Sequence, residues 1–374
     1  MRYAVIVAVC FFALLSCSDE ENNITETNER VVPVDTLVIA MQIGTDYGDS
    51  TNTFGMITDA AIDNNGNIII LDRMAANLKM YDSQGEFVRN IARDGNGPGK
   101  LVLPWDMFLF GDGRLMVLDP GKQGFIVFDD SLRFIEELQL WQQNQPFQSC
   151  AVSDGQFASF KANLDVTESE VVIHRMVALY TYAQENYDLL LWQDSLFLPR
   201  EDVRNDRSLL YNNLEEPITI CSDGSGMVYF SLKNGEEYSV TGWNTEGTEV
   251  LNISRDLPLV EKTMEEMKAE STYVTSYWAS RGSVGPEWEF QPDPFKDMAI
   301  YINIGPDGNL WVRRGTTETP FFDIFDPTNG ELVRQAIFID DGYSWKFEIS
   351  RNGILAWEED PEDCYQILYQ IQLI

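Results

Sequence analysis

Asp59 and Asp106 each stand seven residues before an Asx-Gly turn, and the same offset from four later turn glycines picks out Gln148, Thr219, Tyr301 and Lys346. If the six turns are equivalent, these side chains form one polar, chemically unequal ring. Two carboxylates, with oxygen donors from Gln148 or Thr219, could help hold a hard cation such as Ca²⁺. A cation held there could polarise an ester carbonyl. The same residues suit a water-filled channel in which Lys346 pairs an acid, and the spacing leaves both readings open.

Other chemistries find little support. The single histidine, His174, lies in the apolar stretch VVIHRMVAL and reads as a satisfied, partly buried side chain. Without a GxSxG elbow, nothing points to a Ser-His-Asp hydrolase. One histidine and no CxxC pair exclude a multi-histidine zinc site. Gly95-Asn96-Gly97-Pro98-Gly99-Lys100 has Asp94 and Leu101 where a phosphate loop needs Gly and Ser/Thr, so it reads as a turn between repeats. Asp72 and Asp119, each six residues after a turn glycine, read as turn-fixing residues at strand ends. No residue is assigned a catalytic role.

The elements that would position the ring are hairpins. An apolar strand, an Asp/Asn-Gly turn and a second apolar strand recur around Gly66, Gly113, Gly155, Gly226, Gly308 and Gly353. Asx-Gly between apolar runs predicts tight type I′ turns. The glycines are spaced 47, 42, 71, 82 and 45 residues apart. Intervals of 42–47 fit one four-stranded propeller blade, and the two long ones fit blades with insertions. The fold expected is all-β: a six-bladed β-propeller of antiparallel four-stranded blades over residues 31–374.

Ile68-Ile69-Ile70-Leu71 predicts a strand buried on both faces, as when blades stack. The stretch VVPVDTLVIAMQIG (31–44) has no partner of its own and is placed as the outer strand of the sixth blade, closing the ring. Two insertions break the pattern. Residues 185–216 read as irregular. Residues 258–297 begin helical, with a Thr263–Glu266 capping box and a stop at Gly282. That insertion would cap one face, as a lid or as a buttress. Its Tyr273, Trp278, Arg281 and Trp288 suit either a partner surface or packing on the propeller.

Composition bounds the partners. The chain carries 26 basic and 60 acidic residues, a formal charge of −34. Without rows of Lys and Arg it cannot neutralise phosphates, which excludes nucleic acid and simple adsorption to an anionic bilayer. Residues 1–16 read as an export signal, and Leu14-Leu15-Ser16-Cys17 looks like a lipobox that would leave Cys17 lipidated. An ordinary signal peptide cut nearby is the alternative. Residues 17–30 would form an acidic tether, and membrane contact would run through the lipid anchor only. Cys150, Cys221 and Cys364 fall in different repeats and read as buried thiols with at most one bridge.

The segment NNGNIIILDRMAANLKMYDSQGEFVRNIARDGNGPGKLVLPWD resembles the NHL-like repeat of six-bladed propellers: a strand ending in Asp72, Asn77 opening the next, Tyr81-Asp82 before a turn, then Gly-Pro-Gly. The chain is thereby similar to the NHL-like and TolB-like propeller lipoproteins of Bacteroidetes and relatives. Ser18-Asp19-Glu20-Glu21 also resembles their acidic export tag, which implies display at the outer membrane or cell surface. The histidine-rich metal sites of amidating lyases on such propellers have no counterpart here. The leading expectation is a monomeric, non-catalytic propeller that binds a protein, peptide or glycan without a cofactor. The alternative is a Ca²⁺-dependent hydrolase of the lactonase or esterase type, with Asp59 and Asp106 as metal ligands in the central channel.

Overall fold

The computed structural model describes residues 32–45, 48–139, 146–184, 186–205, 208–211, 218–280, 288–339, 345–359 and 365–374. Val32–Ile374 forms one unit. Strand β1 (Val34–Ile43) comes first and is followed by six runs of antiparallel strands. Blade one is β2 (Ile57–Ile62), β3 (Ile68–Asp72), β4 (Asn77–Tyr81) and β5 (Phe87–Ala92). Blade two is β6 (Asp106–Leu109), β7 (Leu115–Asp119), β8 (Gly124–Phe128) and β9 (Phe134–Leu138). Blade three is β10 (Gln148–Ser153), β11 (Gln156–Val166), β12 (Glu170–Thr181) and β13 (Leu189–Pro199). After helices α1 (Arg200–Asn205) and α2 (Ser208–Tyr211), blade four is β14 (Ile218–Ser222), β15 (Met227–Leu232), β16 (Tyr238–Asn244) and β17 (Glu249–Arg255).

Helix α3 (Met264–Ser280) precedes blade five, β18 (Ala299–Ile304), β19 (Leu310–Arg314), β20 (Phe321–Phe325) and β21 (Leu332–Phe338). Blade six takes β22 (Trp345–Ser350), β23 (Gly353–Glu358) and β24 (Leu368–Leu373) from the end of the chain, and β1 from its start. Strand β1 runs antiparallel to β24 and also pairs in parallel with β21, Val34 to Leu37 opposite Gln335 to Phe338. That second ladder fuses blades five and six into one eight-stranded sheet.

The seams count the blades. Among the described residues, the buried apolar side chains fall into six clusters, each spanning two neighbours: one–two, two–three, three–four, four–five, five–six and six–one. The last joins Leu355, Trp357 and Leu368 of blade six to Ile57, Ile62 and Tyr81 of blade one. Every residue of β3, β7 and β8 is buried, because each second or third strand has a neighbouring blade on both faces. Burying a Leu, Ile or Phe is worth roughly 1.5–3 kcal/mol, so stacking supplies the main driving force.

The hairpins differ from the type I′ form expected. In blade one the Gly66 amide donates to Asp63 O and the Asp63 amide to Asn67 O, and only Gly66 has positive φ (81°). Blade two repeats this through Phe110, Gly113 and Arg114, and blade five through Gly305, Gly308 and Asn309. This is a type I turn closed by a left-handed glycine. Asp63 helps set it, because its Oδ1 accepts the amides of Asn65 and Asn67 at 2.8 Å each.

The stretch 185–216, read as irregular, contains β13, which pairs along β12 from Leu179–Leu189 to Glu170–Pro199. The second insertion follows expectation at its start. The Glu266 amide donates to Thr263 Oγ1 at 3.2 Å, and the Thr263 amide to Glu266 Oε2 at 2.7 Å, closing the capping box. Ser271 Oγ donates to Phe290 O at 2.6 Å and Lys296 pairs Glu266 at 2.6 Å, so 288–296 straps α3 in place. Gly282 lies outside the described residues.

Candidate functional site

The six innermost strands, β2, β6, β10, β14, β18 and β22, surround a channel of about 1820 Å³. Asp59, Asp106, Gln148, Thr219, Tyr301 and Lys346 all line it, so the structure brings the ring together. Their chemistry is more local than spacing suggested. Asp59 Oδ2 accepts the Met107 amide at 2.7 Å, Asp106 Oδ2 the Ser149 amide at 2.9 Å, and Gln148 Oε1 the Ile220 amide at 3.0 Å. These three ring residues each reach the amide one position beyond their counterpart in the next blade. Tyr301 Oη accepts from the Ile349 amide of blade six at 2.8 Å.

Lys346 of blade six cannot extend the pattern to blade one. Lysine has no acceptor, and the Ala60 amide is taken at 2.8 Å by Asp59 Oδ1 of its own blade. Lys346 instead pairs Glu359 at 2.9 Å.

Two residues beyond each ring position, strand alternation puts a second tier in the channel. It includes Ala61, Cys150, Cys221, Asn303 and Glu348. Asn303 Nδ2 donates to Glu348 Oε1 at 3.2 Å and to Tyr301 Oη at 3.1 Å. Burial pushes the Asp59 carboxyl up to about 7, against the pull of the Met107 and Ala60 amides, a hydrogen bond with Asp106 and the charge of Lys346. Glu348 is held well above the usual carboxylate range by burial, then by Asp59 and Asp106. Burial likewise raises Cys150 and Cys221, which makes them poor nucleophiles. They pack into different seams, three–four and four–five. Cys364 lies outside the described residues.

Sequence reading missed Glu348, although it is two residues beyond Lys346 on the same strand face. As a calcium site the ring is short of donors. Three of the four oxygens of Asp59 and Asp106 hold backbone amides, as does Gln148 Oε1. Among the described residues no three His, Cys, Asp or Glu side chains group as a metal site requires.

The mouths differ in charge. At the turn end the channel is lined by Asp63, Asp112, Asp130 and Asp223, with Arg351. At the α3 end it is lined by Arg73, Lys233, Arg313 and Lys346 against Asp297 and Glu359. Aromatic faces accompany the cations: the Arg73 guanidinium lies 4.4 Å from the Trp105 ring centre, and Phe147, Trp345 and Trp357 complete the wall. Tyr273 of α3 stands 63% exposed at this mouth, beside buried Val274. Trp278 is on α3 and Trp288 is half-buried on the strap. The Trp278 side chain and Arg281 lie outside the described residues.

Away from the channel, His174 meets a set of partners that sequence reading did not anticipate. Its Nδ1 is 2.8 Å from Ser195 Oγ and its Nε2 is 3.2 Å from Asp165 Oδ2. Ser195 is its direct partner on β13, and Asp165 is on β11. The three ring a solvent-facing patch of blade three and line no part of the channel, so they satisfy the imidazole without enclosing a substrate.

Residues 50–189 match the model of the DUF5128 family, a 6-bladed beta-propeller. The chain is a six-bladed β-propeller. The match spans blades one and two and the third up to its outer strand. Solved structures similar to the propeller include an exported protein from Bacteroides fragilis, 11% identical with a TM-score of 0.49 over 90% of this chain and 95% of that one. A DUF4221 family member from Bacteroides vulgatus is 10% identical, with a TM-score of 0.47 over 90% and 98%. A gluconolactonase from Xanthomonas campestris is 10% identical, with a TM-score of 0.45 over 89% and 98%. No curated protein matches the propeller sequence.

Proposed function

We propose that this protein is an exported, lipid-anchored binding propeller that takes a small polar ligand into its central channel through the α3 mouth. The observation carrying this reading is the channel itself, about 1820 Å³ and lined by chemically unequal side chains from all six blades. A stacking repeat needs no such variety. The ring carboxyls support binding over hydrolysis, because their oxygens are engaged by backbone amides that tie blades together. The export signal and Cys17 supply the address, and the helix beside the mouth supplies a surface that a ligand must pass.

The calcium-dependent hydrolase is the weaker reading, since the donors that it needs are already committed. One experiment separates the two. A panel of sugars, sugar acids, amino acids, short peptides and CaCl₂ is screened by thermal shift against the wild type and Ala61→Trp, which plugs the channel. Circular dichroism checks that the variant folds. Organic compounds that raise the wild-type Tm and lose their effect in Ala61→Trp support channel binding. Hits that survive the plug, or a panel with none, overturn it. A calcium response lost on Asp59→Asn would restore the hydrolase.

A further inference from the structure

Outside the channel, a groove opens between blades three and four, lined by Trp192, Phe230, Ser239, Thr241, Trp243 and Glu249. Alternation turns Ser239, Thr241 and Trp243 of β16 toward blade three, since Val240 between them packs into the four–five seam. Thr241 lies opposite Phe230, and Trp243 opposite both Val228 and Glu249. Trp192 reaches in from β13, the outermost strand of blade three. A register shift stands beside each tryptophan, at Val177/Ala178 in the β12–β13 ladder and at Gly242/Trp243 in the β16–β17 ladder, and such bulges re-aim side chains. Where β8 of blade two buries every residue, Ser239, Thr241 and Trp243 stay half-buried. Phe230 is 4% exposed and floors the groove, its ring 6.0 Å from the centre of Trp192 and 6.3 Å from that of Trp243.

Elsewhere the protein covers aromatic faces with its own cations: Arg73 on Trp105, Lys79 on Phe54 and Arg314 on Phe321. No Lys or Arg lines this groove, and among the described residues no cation lies over Trp192, Phe230 or Trp243. Its one carboxylate, Glu249, is exposed, accepts Asn252 Nδ2 at 3.2 Å, and has no cationic partner among the described residues. We infer that the groove is an aromatic cage for a quaternary ammonium group of the kind that choline carries. Ring faces attract a cation through their quadrupoles, most strongly where water is excluded, and the Glu249 carboxylate adds its charge at the rim. The volume, about 180 Å³, is below the roughly 300–1,000 Å³ of sites for drug-sized ligands, so the groove takes the head group alone. A sugar would find fewer hydrogen bonds than the lining residues suggest, because Thr241 Oγ1 already accepts from Trp243 Nε1 at 3.3 Å. None of the six residues lines the channel, so this site does not depend on the channel-binding reading.

The test titrates the full chain with choline, with dimethylbutanol as its uncharged carbon isostere, and with glucose, read by tryptophan fluorescence and calorimetry. Choline should bind at least about tenfold more tightly than dimethylbutanol. Trp192→Leu and Trp243→Leu should each weaken choline about fivefold, with circular dichroism checking that they fold. Glu249→Gln changes an exposed side chain, should leave the fold intact, and should weaken choline about threefold. Ala61→Trp, which plugs the channel, should leave choline binding unchanged. Co-sedimentation with phosphatidylcholine vesicles that choline competes away would support the cage and assign its ligand to a lipid head group. Choline binding without co-sedimentation would support it with a free solute as ligand. Dimethylbutanol or glucose binding as tightly as choline overturns the inference. So does choline binding that survives Glu249→Gln and both tryptophan variants, or that Ala61→Trp abolishes, or no choline binding at all.

Discussion

Asp59 Oδ2 accepts the amide of Met107 at 2.7 Å, and the bond crosses from the innermost strand of blade one to that of blade two. The same carboxyl is pushed up to about 7 by burial. The fold therefore binds its proton more tightly than the unfolded chain does. Between about pH 4 and pH 7 the native state carries the extra proton, so stability falls as pH rises through that window and levels off above it. Asp59→Asn keeps an acceptor and cannot ionise. Urea denaturation should show the wild type losing roughly 2 kcal/mol more than Asp59→Asn between pH 5 and pH 8. Parallel pH profiles for the two proteins would contradict a buried, protonated Asp59.

Asp119 is a clamp at the other end of an inner hairpin. It is fully buried, and its oxygens accept the amides of Val102 at 2.7 Å, Leu103 at 2.9 Å and Gly121 at 2.9 Å. Asp72 does the same in blade one for Gly55, Met56 and Ala75. Asp119→Ala leaves three amides without their acceptor and should cost roughly 3–5 kcal/mol. Asp119→Asn, with one oxygen left, should fall between. Equilibrium denaturation ranks the three proteins, and a wild-type midpoint for the alanine variant would show the clamp to be dispensable.

These two aspartates show how much the sequence discloses. Their fixed offsets from the turn glycines reveal the repeat, the ring and the inner strands, because blades built alike put like positions in like places. The turn type was less legible, since Asx-Gly serves both a type I′ turn and a type I turn with a left-handed glycine. What separates them is whether Asp63 caps Asn65 and Asn67, a contact that no dipeptide encodes. Strand β13 carried a readable signal in Leu189-Leu190-Leu191-Trp192, but the Asn and Asp residues around it masked that run.

Blade five holds the most buried ion-pair network among the described residues. Asp323 is fully buried, with Arg314 at 2.7 Å and Arg255 at 2.7 Å, Gln335 Nε2 donating at 2.8 Å and Tyr238 Oη at 3.0 Å. Burial alone would raise its carboxyl, but Arg314, Gln335 and Arg255 hold it below the usual range. Its contribution to stability is thus present above about pH 4 and is lost as pH falls further. Asp323→Ala strands two arginines and should cost roughly 3–5 kcal/mol at pH 7. Near pH 3 the gap from wild type should narrow. A gap that stays constant with pH would assign the loss to packing and not to charge.

Strand β1 carries the last prediction, because ring closure depends on it. Leu37 is fully buried in the seam between blades five and six, and β1 satisfies the edges of both β24 and β21. Removing residues 32–43 would leave two strand edges open, together with the apolar faces of Phe338 and Ile371 that Leu37 covers. Exposed strand edges pair with other chains. The truncated protein should therefore lose its sharp thermal transition and elute as dimers and larger species, whereas Leu37→Asp in the full chain should weaken the seam without opening the edges. Adding a synthetic peptide of residues 32–45 should restore the monomer by completing the sheet. A monomeric truncated protein with a wild-type Tm would mean that blade six closes through its three C-terminal strands alone.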